Sequence, residues 1–463
     1  MSIYKELAQQ FIGQIQSGKL TENARMPSLR KLSKQHCVSV STAVSCYQEL
    51  ESQGWIHARP QSGYFVSSKR NAHTPPKWAH FESHISEPST RVSVQSKLNG
   101  PLGVSSSDID DKAAIELQRS FHRAMRRMNT HQNVYPDYMG ELSLRQVLSC
   151  NFAQLGHHFH PNDLVITSGC ISSIKTALEV CSEAGDAIAI SSPCFSGILE
   201  LLARMSRKII EIPSLNDGID LDQLEQHFRD GNVRAGIFCT SHMNPQGITM
   251  SAQQKQRLAK LANHYKVPVI EDDVYLELDY SGQCPLPAKS YDSNGYILWC
   301  GSVSKSLSPT YRLGWCLPGR YIEDYSKTFA SGCFGVSAPV QLALSDFIES
   351  GQYVKHLKRK RLELLDNRRD YLAYLAKNLP ESAQISTPEG GLVLWLQIPE
   401  LDGIKLAEEA KDHQLDIREG QLFSTLDLYK NCLRINIGHP LIGQAEHDLK
   451  LLCDLIYKHL IIK

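Results

Sequence analysis

Residues 301–315 read GSVSKSLSPTYRLGW and follow the apolar run YILWC, a candidate buried strand. A lysine in a Ser/Gly-rich loop after such a strand, with an arginine seven residues on, suits a phosphorylated aldehyde. Lys305 can form a Schiff base once desolvation lowers its pKa, and Arg312 can grip a phosphate in bidentate fashion. Ser302 and Ser304 add hydroxyl donors. A lone loop lysine is more often a surface residue, so the neighbouring motifs carry the weight. VPVIEDDVYLEL places Asp272 at the end of an apolar strand and Tyr275 three residues on. A pyridoxal phosphate ring needs a buried carboxylate at its nitrogen to act as an electron sink, and a donor at its phenolic oxygen. Tyr275 is one candidate donor, and Asn244, in SHMNPQG before Gly247, is another. TSGCISS follows the strand DLVI and opens a helix, so the Ser168 hydroxyl and the amides of Gly169 and Cys170 face an anion at the positive helix end. Phe195, in SSPCFSG after another strand, can stack on a pyridine ring.

Around these motifs DLVITSG, DAIAISS, RAGIFCT, VPVIEDDVY and YILWCGS alternate with amphipathic stretches. That is the pattern of an α/β domain with a mostly parallel sheet. From about residue 320, charged helices such as YVKHLKRKRLELLDNRRDYLAYLAKNL precede a second small set of strands, GLVLWLQIP and CLRINIG. The 463 residues are ample for several cores, and no run approaches the roughly 18 apolar residues of a membrane helix. MSIYKELAQQ starts an amphipathic helix instead of an apolar signal segment. Thirteen cysteines with no CxxC pair read as thiols of a reducing cytoplasm and speak against zinc. His157, His158 and His160 fall in an expected loop with no partner ligands.

The charge balance is zero, with 49 Lys+Arg against 49 Asp+Glu, which taken whole argues against a nucleic-acid partner. Counting by segment reverses that. Residues 1–70 hold nine Lys/Arg against four Glu, so a +5 segment precedes a −5 remainder. Three helices are expected in it: about Ile3–Ser17, with Leu7, Phe11 and Ile15 inward; one capped by Ser28; and one from Ser39–Ser41 to about Gln53. The third should bury Val40, Val44, Tyr47 and Leu50 and turn Ser41, Thr42, Ser45 and Gln48 outward, toward phosphates and base edges. WIHARPQSGYFV then makes a two-stranded wing.

ARMPSLRKLSKQHCVSVSTAVSCYQELESQGWIHARPQSGYFVS closely resembles the winged helix-turn-helix of the GntR regulators. The resemblance implies phosphate contacts from Arg25 and Arg30, reading by Ser41, Thr42 and Ser45, and Gly63 in the wing; Val40 stands where the family often has arginine. The downstream motifs, in their order, resemble the aminotransferases of fold type I. That resemblance implies attachment at Lys305, Asp272 on the ring nitrogen, Asn244 and Tyr275 on the phenolic oxygen, and a phosphate cup of Ser168, Gly169, Cys170, Ser302 and Arg312. It further implies that Tyr135, in YPDYMGELSLR, reaches the phosphate of a neighbouring subunit, and that Arg434, in LRINIG, clamps a substrate α-carboxylate. A GntR-type module fused to such a body resembles the MocR subfamily of bacterial regulators. The expected organisation is an all-α winged helix-turn-helix domain over residues 1–68 and a linker over 69–111. An α/β fold type I pyridoxal phosphate-dependent transferase-like body follows over 112–463, its large part about 130–320 and its smaller α+β part about 321–463. Trp78, Phe81 and Ile85 give the linker something to pack. The implied function is a cytoplasmic, domain-swapped homodimer that binds double-stranded DNA and pyridoxal 5'-phosphate and senses a small amino compound. The alternative is a working aminotransferase carrying a DNA-binding module.

Overall fold

A computed structural model describes residues 3–52, 54–59, 62–67, 74–87, 99–128 and 135–461. In the N-terminal module the helices Ile3–Gln16, Leu29–Gln35 and Val40–Ser52 close over the hairpin Ile56–Arg59/Gly63–Val66. Leu7, Phe11, Leu32, Tyr47, Leu50 and Ile56 form the core between them. The Ser28 hydroxyl accepts the Lys31 N–H at 3.3 Å and starts the second helix. Ser39 caps the third: its Oγ accepts the Thr42 N–H at 3.0 Å and lies 2.7 and 2.8 Å from the Ser41 and Thr42 hydroxyls. Val40 corrects the expected apolar face, being 49% exposed. Ala43, Cys46, Tyr47 and Leu50 fill that face, which runs past the edge of the small core at the helix's first turn. Pro60 and Gln61 of the expected wing turn lie outside the described residues.

The body is built on a nine-stranded sheet among the described residues. Lys208–Leu215, Ala187–Ser192, Ala235–Cys239, Val269–Asp272 and Ile297–Ser302 are neighbours and run parallel. Gly314–Leu317 is the reversed strand, antiparallel to Ile297–Ser302, and Val165–Thr167 beyond it is antiparallel to that strand and so runs with the parallel set. Helices cover both faces, which is why the central strands are buried throughout and read as continuous apolar runs. The carboxyl ends of these strands share one edge, where sequence-adjacent loops converge. The smaller part is a four-stranded antiparallel sheet, in the order Gln384–Ile385, Val393–Gln397, Cys432–Asn436, Arg418–Glu419, packed under Gly403–Asp412 and Gln444–Ile461. No helix of the described residues is long and apolar enough to cross a membrane.

Residues 74–87 are pinned along the body. The Lys77 N–H donates to Gln397 Oε1 (2.9 Å), Trp78 Nε1 donates to Asn216 Oδ1 (3.0 Å), and Ile85–Ser86 pairs antiparallel with Ile209–Ile210. The 27-residue helix Gln352–Asn378 spans the parts: Tyr353 sits in the large core and Tyr371, Leu372 and Leu375 in the small one. Between these ends, Leu362, Leu365 and Arg368 border a cleft shared with the third helix of the N-terminal module.

Candidate cofactor site and nucleic-acid interface

The strand ends enclose a cavity of about 190 Å³ lined by Cys170, Phe195, Asn244, Asp272, Tyr275, Ser302, Lys305 and Arg312. Lys305 lies in the one-turn helix Val303–Ser306, whose cap is Ser302 Oγ accepting the Ser304 N–H at 3.1 Å. That turn is held from below: the Ser306 carbonyl lies 2.8 Å from His356 Nε2, and the Ser306 hydroxyl 2.8 Å from the Tyr353 hydroxyl. Burial pushes the Lys305 amine down to about 8; Arg434 and Arg312 act the same way, and Asp272 opposes them.

Of the three consecutive acids Glu271, Asp272 and Asp273, Asp272 faces the cavity. A strand alternates its side chains, so the other two turn away. Glu271 accepts Thr240 Oγ1 (2.5 Å) and the Ala288 N–H (2.7 Å), while Asp273 accepts Trp299 Nε1 (3.0 Å). Asp272 is pushed up to about 6 by burial, and a hydrogen bond from the Cys170 thiol (3.2 Å) works against that rise. Asn244 Nδ2 donates to the Tyr275 hydroxyl at 3.1 Å, so the amide and the phenol converge on one spot, and burial pushes that phenol up to about 12.

Gly169 has φ +119°, which L side chains rarely adopt, and a Cβ there would stand 2.8 Å from Arg312 Nη2. The turn's backbone and a guanidinium thus meet with nothing between them. A pyridoxal phosphate fits this donor set: an anion cradle at Gly169 and Arg312, a buried carboxylate at Asp272, an amine at Lys305 and a half-buried ring at Phe195. Gly169→Ala should push Arg312 out of the cradle and weaken retention of the phosphorylated cofactor about tenfold, as backbone strain of ~1–3 kcal/mol implies. Equilibrium dialysis against pyridoxal phosphate and against unphosphorylated pyridoxal checks this, since the second should change little.

Three of the expected cofactor residues, Ser168, Gly169 and Tyr135, are not among those lining this cavity. Ser168 and Gly169 directly precede Cys170, with Gly169 against Arg312, and Tyr135 is 85% exposed with its ring 6.2 Å from that of Phe334. Arg434 borders a second cavity of about 530 Å³ that shares Lys305 and Phe195 with the first. It is buried: Nη1 donates to Asn244 Oδ1 (3.2 Å), Nη2 to the Gly103 carbonyl, and Nε has no partner among the described residues. Burial lowers its pKa to about 10.

Sequence reading missed the strap Asn99–Ser106, which lies inside the expected linker. Lys305 Nζ donates to the Ser105 carbonyl, Ser105 Oγ lies 3.1 Å from the Tyr275 hydroxyl, and Asn436 Nδ2 donates to the carbonyls of Pro101 (2.8 Å) and Ser106 (3.0 Å). Asp416 and Arg418, an ion pair on the wall of the larger cavity, were missed as well; Asp416 also accepts the Gly100 N–H at 3.1 Å. The buried side chain of Leu102 was the one available signal. His157 lies in a loop as expected, yet it is buried against Trp299 with Nδ1 2.8 Å from Ser290 Oγ.

In the module Arg25 and Arg30 are exposed, and a Cβ on Gly63 would lie 3.9 Å from the Arg25 guanidinium. Ser41, Thr42 and Ser45 line a cleft of about 390 Å³ against Asp279, Tyr280, Ser281 and Glu389 of the body. The hydroxyl face of the third helix is therefore turned toward its own body in this chain.

Residues 100–441 match the family described as "Aminotransferase class I and II", and residues 3–66 match "Bacterial regulatory proteins, gntR family". The chain is 32% identical to the protein described as "Uncharacterized HTH-type transcriptional regulator YdcR" of Escherichia coli (strain K12), over 99% of this chain and all of that one. It is 30% identical to the similarly described YjiR of the same organism, over 99% of each. Among solved structures, the kynurenine aminotransferase of Pyrococcus horikoshii superposes with a TM-score of 0.71 at 24% identity, covering 78% of this chain and 92% of its own. The multiple substrate aminotransferase of Thermococcus profundus superposes with 0.70 at 21% identity, covering 81% and 94%. At these identities the two structures speak for the fold of the body.

Proposed function

Since the chain belongs to the HTH-type transcriptional regulators of the MocR type, in which a GntR module is fused to a class I and II aminotransferase body, we propose that this body holds pyridoxal 5'-phosphate to sense an amino compound and pass its binding on to DNA. The observation that carries the reading is the convergence of Lys305, Asp272, Asn244, Tyr275 and Arg312 on one cavity at the strand ends. Bound there, the cofactor supplies an aldehyde that condenses with amines and a ring that withdraws electrons. The chain's own residues do the rest. Arg312 and the Gly169 turn hold the phosphate, with Ser168, Cys170 and Ser302 around it. Asp272 keeps a proton on the ring nitrogen, Asn244 and Tyr275 orient the phenolic oxygen, and Phe195 covers a ring face. Arg434 holds the carboxylate of the incoming amino compound. The test is a spectral titration of the cofactor-loaded protein with amino acids and amines, repeated with a DNA fragment from its own promoter region. An amine that shifts the spectrum without changing DNA affinity or footprint would sink the sensing role.

The assembly we propose is a cytoplasmic homodimer in which each DNA module crosses to the partner's body and Tyr135 completes the partner's phosphate site. Two features support it: Tyr135 is exposed, and Ser41, Thr42 and Ser45 line a cleft of about 390 Å³ against the chain's own body, so the module must leave that face to present them to a duplex. Exposed Arg25 and Arg30 would take phosphates of the backbone. Arg30→Ala should then weaken DNA binding and lower the slope of log affinity against log salt by about one. Binding isotherms at several salt concentrations read this directly, and an unchanged slope removes Arg30 from the phosphate contacts. A second reading, a working aminotransferase, uses the same cavity residues, Lys305, Asp272 and Arg312. Turnover of an amino acid and a keto acid at dedicated-enzyme rates would favour it over sensing.

A further inference from the structure

Cys170 opens the helix Cys170–Cys181 directly after the Gly169 turn and stands in the cofactor cavity as a side chain as well as a backbone amide. Its thiol is buried and donates to Oδ1 of Asp272 at 3.2 Å. Among the described residues it is the one side chain that hydrogen-bonds this carboxylate, beside the backbone N–H of Val274. The strands on either side of Asp272 offer no stronger donor: its register partners there are Cys239 and Cys300. Asp272 is therefore a carboxylate set among thiols, with a single one in hydrogen-bond contact.

We propose that Cys170 is a positioning residue for the cofactor ring: its thiol holds Oδ1 of Asp272, so that the carboxylate is oriented toward the ring nitrogen, and favours the charged form. The proposal rests on the reading that this cavity takes pyridoxal phosphate. A thiol is a weak donor, but a donor to the ionised form of an acid favours that form, and here it opposes the burial that favours the neutral acid. Burial holds the Cys170 thiol itself well above its ordinary range, so it stays a protonated donor at neutral pH and brings no second negative charge beside Asp272. Its place at the first position of a helix fixes the Cβ direction, so the contact is set by the fold.

The experiment uses the full chain freed of cofactor and titrated with pyridoxal phosphate, following the visible absorption of the bound form and the pH at which that absorption changes. Cys170→Ala should weaken binding about fivefold, as loss of one hydrogen bond from a weak thiol donor implies, and move the pH midpoint. Cys170→Ser, which keeps a donor, should bind within about twofold of the wild type and restore the midpoint. In the Asp272→Asn background the alanine change should cost nothing further, because the pair acts as one unit. Wild-type affinity and midpoint in Cys170→Ala overturn the proposal. So does equal weakening by alanine and serine that persists with Asp272→Asn, which would make Cys170 a packing residue. A wild-type chain that acquires no visible absorption overturns the cofactor reading itself, and this proposal with it.

Discussion

Lys305→Ala is expected to abolish covalent capture of the cofactor. After borohydride reduction in the presence of pyridoxal phosphate, the wild-type chain should gain the mass of one reduced adduct at residue 305, and the variant should gain none there. The fold should survive, because the turn that carries Lys305 is held through the Ser306 carbonyl and hydroxyl, which the substitution leaves in place. The pH dependence has a definite sign. A lysine pushed down to about 8 from its ordinary 10.5 presents its neutral, nucleophilic form at lower pH. The rate of capture at saturating cofactor should therefore rise from mildly acidic pH up to about 8 and level above it. Stopped-flow traces across that range measure it. A rate still climbing toward the pKa of an ordinary lysine would remove burial as the source of the activation. Either way, adduct formation on Lys305→Ala with wild-type yield at a different lysine would overturn the assignment.

What the sequence could and could not say follows from the kind of contact involved. The parallel sheet was readable because strands buried on both faces leave apolar runs, and Val269–Asp272 and Ile297–Ser302 are both of that kind. Lys305, Asp272, Asn244, Tyr275 and Arg312 were readable because their chemistry needs those side chains, and they sit at strand ends or in the turns and loops beside them. The strap was not readable. Gly103 and Ser105 act on Arg434 and Lys305 through carbonyl oxygens, which every residue owns, so apart from Leu102, whose side chain is buried, the stretch Asn99–Ser106 looks like a spacer. Val40 failed for another reason. Helical periodicity predicts which face is apolar but not where a small core ends along the helix, and at Val40 the core has already ended. The placement of the third helix against Asp279–Ser281 is a relation between two folded units, and no local pattern within either encodes it.

These missed contacts also suggest how a ligand could be felt outside the cavity. The residues expected to receive an aldehyde and a carboxylate, Lys305 and Arg434, both bond to the strap. The strap continues into Asp108, whose carbonyl accepts from Lys360, and Asp110, which receives Arg359 (2.9 Å) and His356 (2.6 Å). All three partners lie on Gln352–Asn378, the helix whose middle borders the cleft of the DNA module. If the body senses as proposed, a ligand that takes Lys305 and Arg434 from the strap would change contacts that continue to this helix, which also borders the cleft of the module.

Arg434 carries the second large effect. A buried guanidinium bonded to a backbone carbonyl and an amide is incompletely satisfied, and its Nε has no partner among the described residues. A carboxylate offers charge and a second oxygen, so it should displace the Gly103 carbonyl and pair in bidentate fashion. Charge-assisted hydrogen bonds contribute about 1.5–3 kcal/mol, so Arg434→Ala should weaken the response to carboxylate-bearing amines about tenfold to a hundredfold. Lysine should not restore it, because a point charge cannot reproduce the planar fork. Amines that lack the carboxylate but share the side chain should respond as they do in the wild type, since their amino group meets Lys305 and not Arg434. Spectral titrations of the cofactor-loaded protein with matched pairs, an amino acid and its decarboxylated amine, separate the two contributions. Equal losses for both members of a pair would show that Arg434 shapes the site instead of reading the carboxylate. No loss for either would place the carboxylate elsewhere, and Arg418, paired with Asp416 on the same cavity wall, would then be the guanidinium to test.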